Sequence, residues 1–105
     1  MEKFPDFINS ENCSKILEKN QLEYVKKIRK LFSDKILHAI EDLRDNVVLE
    51  FTTNIWYENR VAICEELLDR FGSLEIKTIQ RYTITKSISD TQNIPQNIES
   101  IKITF

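Results

Sequence analysis

The sequence predicts a small two-layer α+β domain in which a mixed three-stranded sheet packs against a long helix, in the order α-α-β-α-β-β. Three observations predict this class. Apolar residues recur every three or four positions over residues 21–45, alternate with polar residues over 48–55, and return to helical spacing over 57–71. The chain of 105 residues has the length of one domain. We divide it into a helical part (1–45) and a β-α-β-β part (46–105).

Two helices are expected in the first part. An extended segment, residues 4–8, leads to a short helix for which Ser10 is a suitable N-cap. Three residues form its apolar face: Cys13, Ile16 and Leu17. The sequence leaves open whether Asn20 and Gln21 end this helix or are carried through it. The second helix, residues 21–45, is expected to be the longest element, because its apolar positions are interrupted by neither Pro nor Gly. These positions are Val25, Ile28, Phe32, Ile36, Ala39 and Leu43.

The second part is expected to contain three strands and one helix. The first strand leads into a helix that ends at Gly72, the only glycine of the chain, in the position of a C-cap. The second strand covers residues 74–84, and a polar loop over 87–97 leads to the last strand. A strand–helix–strand unit over 47–86 implies a right-handed crossover with parallel pairing. The last strand is expected antiparallel to the second, either as an edge open to a partner or as a strand whose Phe105 closes the core.

Composition excludes several classes of protein. The net charge of −2 gives no global positive field that would attract nucleic acid or anionic lipid. No apolar run approaches the roughly 20 residues that span a bilayer, and the N-terminal residues do not resemble a secretory signal. We therefore expect an intracellular, cytoplasmic protein with no membrane partner. Cys13 and Cys64 are expected to be free, buried thiols in a reducing compartment. The excess of Ile, Lys, Asn and Glu is typical of an AT-rich genome, for instance that of a virus.

A basic cluster in the stretch KKIRKLF is the feature nearest to a nucleic-acid motif. With two later residues it comprises Lys26, Lys27, Arg29, Lys30, Arg81 and Lys86. Glu23 lies four residues before Lys27, and Asp34 lies four residues after Lys30, the spacing at which charges pair along a helix. Phosphate binding depends on cations that are not already neutralised. A nucleic-acid-binding regulator that uses this patch is therefore the disfavoured alternative, and a solvated helix face is expected.

Tyr24, Leu31 and His38 form a second stripe on the long predicted helix, away from its main apolar positions. They are spaced seven residues apart. Two interpretations stay open. Either the short first helix packs on this stripe, or the stripe is a self-association seam at which the helix meets its copy, as in a coiled coil.

The residues that could carry catalysis or bind metal do not form a known pattern. His38 is the only histidine, and general-base catalysis needs a partner whose proton the base can take. Gly-x-Ser-x-Gly and Gly-rich phosphate loops are absent from the sequence. A structural zinc site uses four Cys or His ligands with short paired spacings, and the sequence holds three, none of them paired. We expect no catalytic residue, no cofactor and no metal site.

The stretch NIWYENR, residues 54–60, joins the first predicted strand to its helix. Trp56 and Tyr57 lie beside Arg60, a composition enriched at binding hot spots. Open α/β sheets also place ligands at such strand ends. The alternative is that both rings cap the core at the start of the helix. The candidate protein interface consists of Tyr24, Leu31, His38, Trp56, Tyr57 and Arg60. The sequence as a whole thus predicts a small non-enzymatic protein-interaction module that self-associates as a homo-oligomer, most simply a homodimer.

Overall fold

One antiparallel sheet and two helices make up this chain, and a computed structural model describes its residues 3–89 and 93–105. The elements, in chain order, are α1 (Ser10–Glu41), β1 (Asn46–Glu50), α2 (Tyr57–Phe71), β2 (Ser73–Thr78), β3 (Thr83–Ser87) and β4 (Ile98–Thr104). The predicted α+β class is confirmed. Neither helix of the described ranges is long and apolar enough to cross a membrane. Residues 90–92, in the middle of the loop expected over 87–97, lie outside the described residues.

The sheet has four strands in the order β1-β4-β2-β3, and every neighbouring pair is antiparallel. The prediction of three strands is wrong because residues 74–84 form a hairpin rather than one strand. The chain reverses where Arg81 adopts a positive φ of 67°. Its N–H donates to the carbonyl of Thr78 at 2.8 Å, and the N–H of Thr78 donates to the carbonyl of Tyr82 at 2.9 Å.

The last strand, β4, lies inside the sheet between β1 and β2. The interpretation of this strand as an open edge is therefore wrong. Its predicted antiparallel pairing with β2 is confirmed. The parallel pairing implied by the strand–helix–strand unit is wrong, because β4 separates β1 from β2. Opposite Ile101 stand Leu49 of β1 and Ile76 of β2, and all three side chains are fully buried.

The predicted pair of N-terminal helices is a single helix, so the predicted order α-α-β-α-β-β is replaced by α-β-α-β-β-β. Asn20 and Gln21 are carried through α1. Its N-cap is Asn9 rather than Ser10, since the side chain of Asn9 accepts a hydrogen bond from the N–H of Asn12 at 3.0 Å. At 1.5 Å per residue the 32 residues of α1 span about 48 Å. The helix ends at Glu41, four residues before the predicted end.

The core lies between the two helices and one face of the sheet. It contains Val25, Ile28 and Phe32 of α1, Ile63, Cys64 and Leu68 of α2, and the inward isoleucines and leucines of the strands. The opposite face of the sheet is polar, and Lys102 forms an ion pair there with Glu75 at 3.8 Å. The fold therefore has two layers.

Gly72 forms the predicted C-cap of α2, with φ of 82° and an N–H that donates to the carbonyl of Leu68 at 2.9 Å.

Candidate interaction surface

The turn between β1 and α2 is held against α1 by the side chain of Gln21. Its Nε2 donates to the carbonyl of Asn54 at 2.8 Å. Its Oε1 accepts from the N–H of Trp56 at 2.8 Å and from Nδ2 of Asn59 at 3.0 Å. Gln21 is buried. This positioning role of Gln21 was not predicted, although a polar residue in the apolar series of Val25 and Ile28 was a usable signal in the sequence.

Arg60 is buried beneath the same turn, where it binds the backbone. Its Nε donates to the carbonyl of Ile55 at 2.8 Å, and its two terminal nitrogens donate to Ile98 at 2.8 Å and to Thr52 at 2.9 Å. These bonds connect the first turn of α2, the exit of β1 and the start of β4. Arg60 belongs to the predicted candidate interface, but only 5% of it is exposed, so most of its side chain serves the fold of this turn.

The guanidinium of Arg60 lies between two aromatic rings. Its carbon is 5.5 Å from the ring centre of Phe51 and 5.0 Å from that of Tyr57. Burial lowers the pKa of Arg60, and Tyr57 acts weakly in the opposite direction. Across residues 3–89 and 93–105 no carboxylate forms an ion pair with Arg60. Within the described residues the positive charge is therefore balanced by carbonyl dipoles and the faces of the two rings.

A mainly apolar pocket of about 690 Å³ opens above Arg60. We call it the aromatic pocket, and its lining residues are Phe51, Thr53, Ile55, Trp56, Tyr57, Arg60, Ile79 and Glu99. Trp56 and Tyr57 are 39% and 47% exposed. The predicted pair of aromatic residues therefore lines an open surface, whereas the predicted arginine forms part of its buried floor.

The predicted stripe on α1 is also exposed, including Tyr24, Leu31 and His38. The interpretation that a separate first helix packs on it is wrong, because α1 is continuous. A small pocket brings Tyr24 and Leu31 beside Thr52 and Asn54 of the turn. Tyr24 and Leu31 therefore lie on the same turn as the aromatic pocket, although the two groups are far apart in sequence. His38 does not join them, because it lies near the end of α1 beside Asp42 and Val48.

The N-terminal third of α1 extends beyond the core. We call residues 4–20 the arm. None of the arm is buried, and Gln21 is the first buried residue of α1. Ile16 and Leu17, which one of the two interpretations packed against the stripe, are 49% and 57% exposed. The radius of gyration is 17.2 Å, against about 13 Å for a compact chain of this length. The arm gives the protein its long dimension of 62 Å.

The basic cluster is distributed over several elements. Glu23 pairs with Lys26 at 3.9 Å rather than with the predicted Lys27, whose ammonium lies 5.7 Å from the ring centre of Tyr24. Arg29 binds Glu66 of α2 at 3.1 Å. The remaining cations are Lys30 on the exposed side of α1, Arg81 in the β2–β3 turn and Lys86 buried on β3. Lys30 has no ion pair with Asp34 in the described part of the chain, so the predicted neutralisation is incomplete.

The two thiols differ in their surroundings. Cys64 is fully buried, and burial together with the charge of Glu65 raises its pKa to about 12. Cys13 is only half-buried on the arm, so the prediction that both thiols are buried is wrong for this one. In the described ranges no three His, Cys, Asp or Glu side chains gather in a group that could hold a metal ion.

Comparison of the chain with protein-family models, with curated proteins and with solved structures finds no match.

Proposed function

We propose that this chain is a non-enzymatic protein-interaction module that associates with a second copy of itself through the arm. The observation that carries the proposal is the lack of any buried residue between Ser10 and Gln21, although Ile16 and Leu17 lie in this stretch. An isolated helix of this length is marginal in water, and helices in proteins are stabilised mostly by packing of an apolar face. A second protein surface on the arm supplies that packing.

The excess surface of the chain agrees with an interface of ordinary size. The protomer exposes 7854 Å², whereas a compact monomer of 12.5 kDa exposes about 6,200 Å². A standard interface buries about 800 Å² on each partner. The difference between the two areas is therefore large enough to include one such interface.

The charge on the arm favours a copy of the chain over a strongly charged partner. The helical part of the arm carries Glu11 and Glu18 against Lys15 and Lys19, so its formal charge is zero. Glu11 and Lys15 form an ion pair with each other at 3.2 Å. A balanced surface attracts neither an acidic nor a basic partner over distance, and two copies of it do not repel each other.

Because Cys13 and Cys64 are free thiols, we place the association in a reducing cytoplasm.

Sedimentation velocity over a wide range of protein concentration tests the proposal. We expect reversible dimerisation in the native chain, and a monomer when Ile16→Glu and Leu17→Glu are combined. Leu37→Glu is the matched control, because Leu37 is similarly exposed on α1 but lies outside the arm. It should leave the dimer intact. A native chain that stays monomeric at all concentrations contradicts the proposal, as does a dimer that survives the double substitution.

A further inference from the structure

We propose that residues 4–8 of one copy dock into the aromatic pocket of the other, with the two arms antiparallel. This inference rests on the proposed self-association. The occupant is thus a named segment of a second copy of this chain. The contact is reciprocal, because each protomer supplies one segment and one pocket, as a two-fold axis requires.

The segment presents apolar side chains and one carboxylate. Phe4 and Phe7 are 85% and 58% exposed, Ile8 is exposed as well, and Asp6 lies between the two rings in sequence. The N–H of Ile8 donates to the carbonyl of Pro5 at 2.9 Å, and Nδ2 of Asn9 donates to that of Asp6 at 3.0 Å. The segment is therefore already an ordered turn at the start of α1. Binding does not have to carry the entropy cost of ordering it.

The aromatic pocket has the complementary chemistry. Phe51, Trp56 and Tyr57 offer ring surface, and pockets of about 300–1,000 Å³ commonly hold ligands of several rings. The guanidinium of Arg60 has five N–H donors, of which its three backbone bonds use three. The described residues supply no carboxylate partner for this charge. Phe7 offers a ring to the aromatic surface, and Asp6 next to it offers a carboxylate to the small exposed part of Arg60, 5% of the residue.

The continuity of α1 prevents a protomer from filling its own pocket. The turn that carries the pocket is attached to α1 at Gln21. Ile8 lies about 20 Å from Gln21 along the helix axis, at 1.5 Å per residue. Because α1 runs unbroken between these two points, the segment can reach an aromatic pocket only on another molecule.

The register follows from the positions of the segment and the pocket. If residue 8 of one arm lies beside residues 21–24 of the other, antiparallel helices cross near residues 15–16. This crossing places Ile16 and Leu17 at the centre of the contact. Leu17 also lies seven residues before Tyr24, so the contact continues into the exposed stripe. Parallel arms would instead bring the two segments together, away from both pockets.

Intermolecular disulfide formation tests this arrangement. One chain carries Lys3→Cys with Cys13→Ser, and a second carries Thr53→Cys with Cys13→Ser. Lys3 is exposed next to the segment and Thr53 lines the pocket, so Phe4, Asp6 and Arg60 stay unchanged. Cys64 is buried and unreactive. Mild oxidation of the mixture should yield the mixed disulfide in preference to either homodimer. A Lys3→Cys homodimer as the main product overturns the inference, because it indicates parallel arms.

Substitutions in the segment give a second readout. Phe7→Ala should weaken the dimer roughly tenfold or more, as for a buried aromatic anchor. Asp6→Asn should weaken it by a smaller factor through loss of a charge-assisted contact. Glu99→Gln should tighten it, since Glu99 is an exposed acid of the pocket lining. Lys3→Gln is the control and should leave Kd unchanged. If sedimentation still shows a dimer but these three substitutions have no effect, the inference fails while the proposed self-association stands. A monomeric native chain removes both.

Discussion

The side-chain oxygen of Gln21 accepts a hydrogen bond from the backbone N–H of Trp56 at 2.8 Å, which joins the middle of α1 to the first residue before α2. Trp56 is the N-cap of α2 and has no side-chain capping bond of its own. In a capping box, a Glu or Gln of the same helix binds the N–H of the N-cap. Here a glutamine from another helix makes that bond, so the start of α2 depends on the position of α1.

Gln21→Met should destabilise the protein by about 1–3 kcal/mol, because it leaves the part-buried carbonyl of Asn54 and N–H of Trp56 without this partner. The side chain keeps nearly the same size, so packing is little changed. Urea unfolding followed by the fluorescence of Trp56, the only tryptophan, measures the loss. Lys35→Met, at an exposed site on the same helix outside the arm, is the control and should change stability by less than about 0.5 kcal/mol. Equal stability of both variants would contradict the role of Gln21.

Arg60→Met should cost roughly 3 kcal/mol or more, since three backbone carbonyls lose their donor together. Arg60→Lys should recover only part of this loss, because one ammonium cannot reproduce the planar fork of a guanidinium. Thermal or urea unfolding gives the ranking. Arg44→Met, at an exposed arginine, serves as the comparison. Full rescue by lysine would show that charge, rather than the geometry of the fork, stabilises the turn.

Leu43→Gly should stabilise the protein by about 1 kcal/mol, although it removes a large side chain. Leu43 has a φ of 59° and is 93% exposed. The N–H of Arg44 donates to the carbonyl of Ala39 at 2.9 Å, and that of Leu43 donates to Ile40 at 3.0 Å, which is the Schellman pattern. Leu43→Ala separates the two effects, because it removes the same apolar surface but keeps the backbone strain. A glycine variant no more stable than the alanine variant would refute the explanation.

Stability should fall at high pH in a way that depends on Cys64. The pKa of its thiol is raised from 9.0 to about 12 in the folded protein. The neutral thiol therefore contributes fully below pH 9, and its contribution is lost as the pH rises from 9 towards 12, because the unfolded chain releases the proton first. The slope is at most about 1.4 kcal/mol per pH unit. Unfolding of the native chain and of Cys64→Ala at pH 8 and pH 10 measures it. The difference in free energy of unfolding between the native chain and Cys64→Ala should be smaller at pH 10 than at pH 8.

Local sequence pattern correctly predicted those features that depend only on residues within one helix or at its end. The apolar spacing of Val25, Ile28 and Phe32 predicted the buried face of α1, and Gly72 predicted the end of α2. The break within residues 74–84 was missed because the reversal uses no glycine or proline. Arg81 instead takes a positive φ, and Thr78 closes the turn through hydrogen bonds with Arg81 and Tyr82.

The candidate surface was only partly predictable, because contacts between residues distant in sequence form it. Trp56 and Tyr57 stood out by composition, and both line the aromatic pocket. Arg60 was predicted as part of the interface from its place beside Trp56 and Tyr57, and its hydrogen-bond partners are carbonyls 5, 8 and 38 residues away. Gln21 was predicted only as a possible helix end, since its three hydrogen-bond partners lie 33 to 38 residues further along the chain.

The sequence by itself determined the α+β class, the buried face of α1 and the capping glycine, because periodicity and φ preference act within a few residues. Tertiary structure alone decided that β4 lies inside the sheet, that the buried Arg60 binds three backbone carbonyls, and that no residue of the arm is buried. Those outcomes depend on which distant groups meet, and pairing between distant groups has no fixed spacing along a chain.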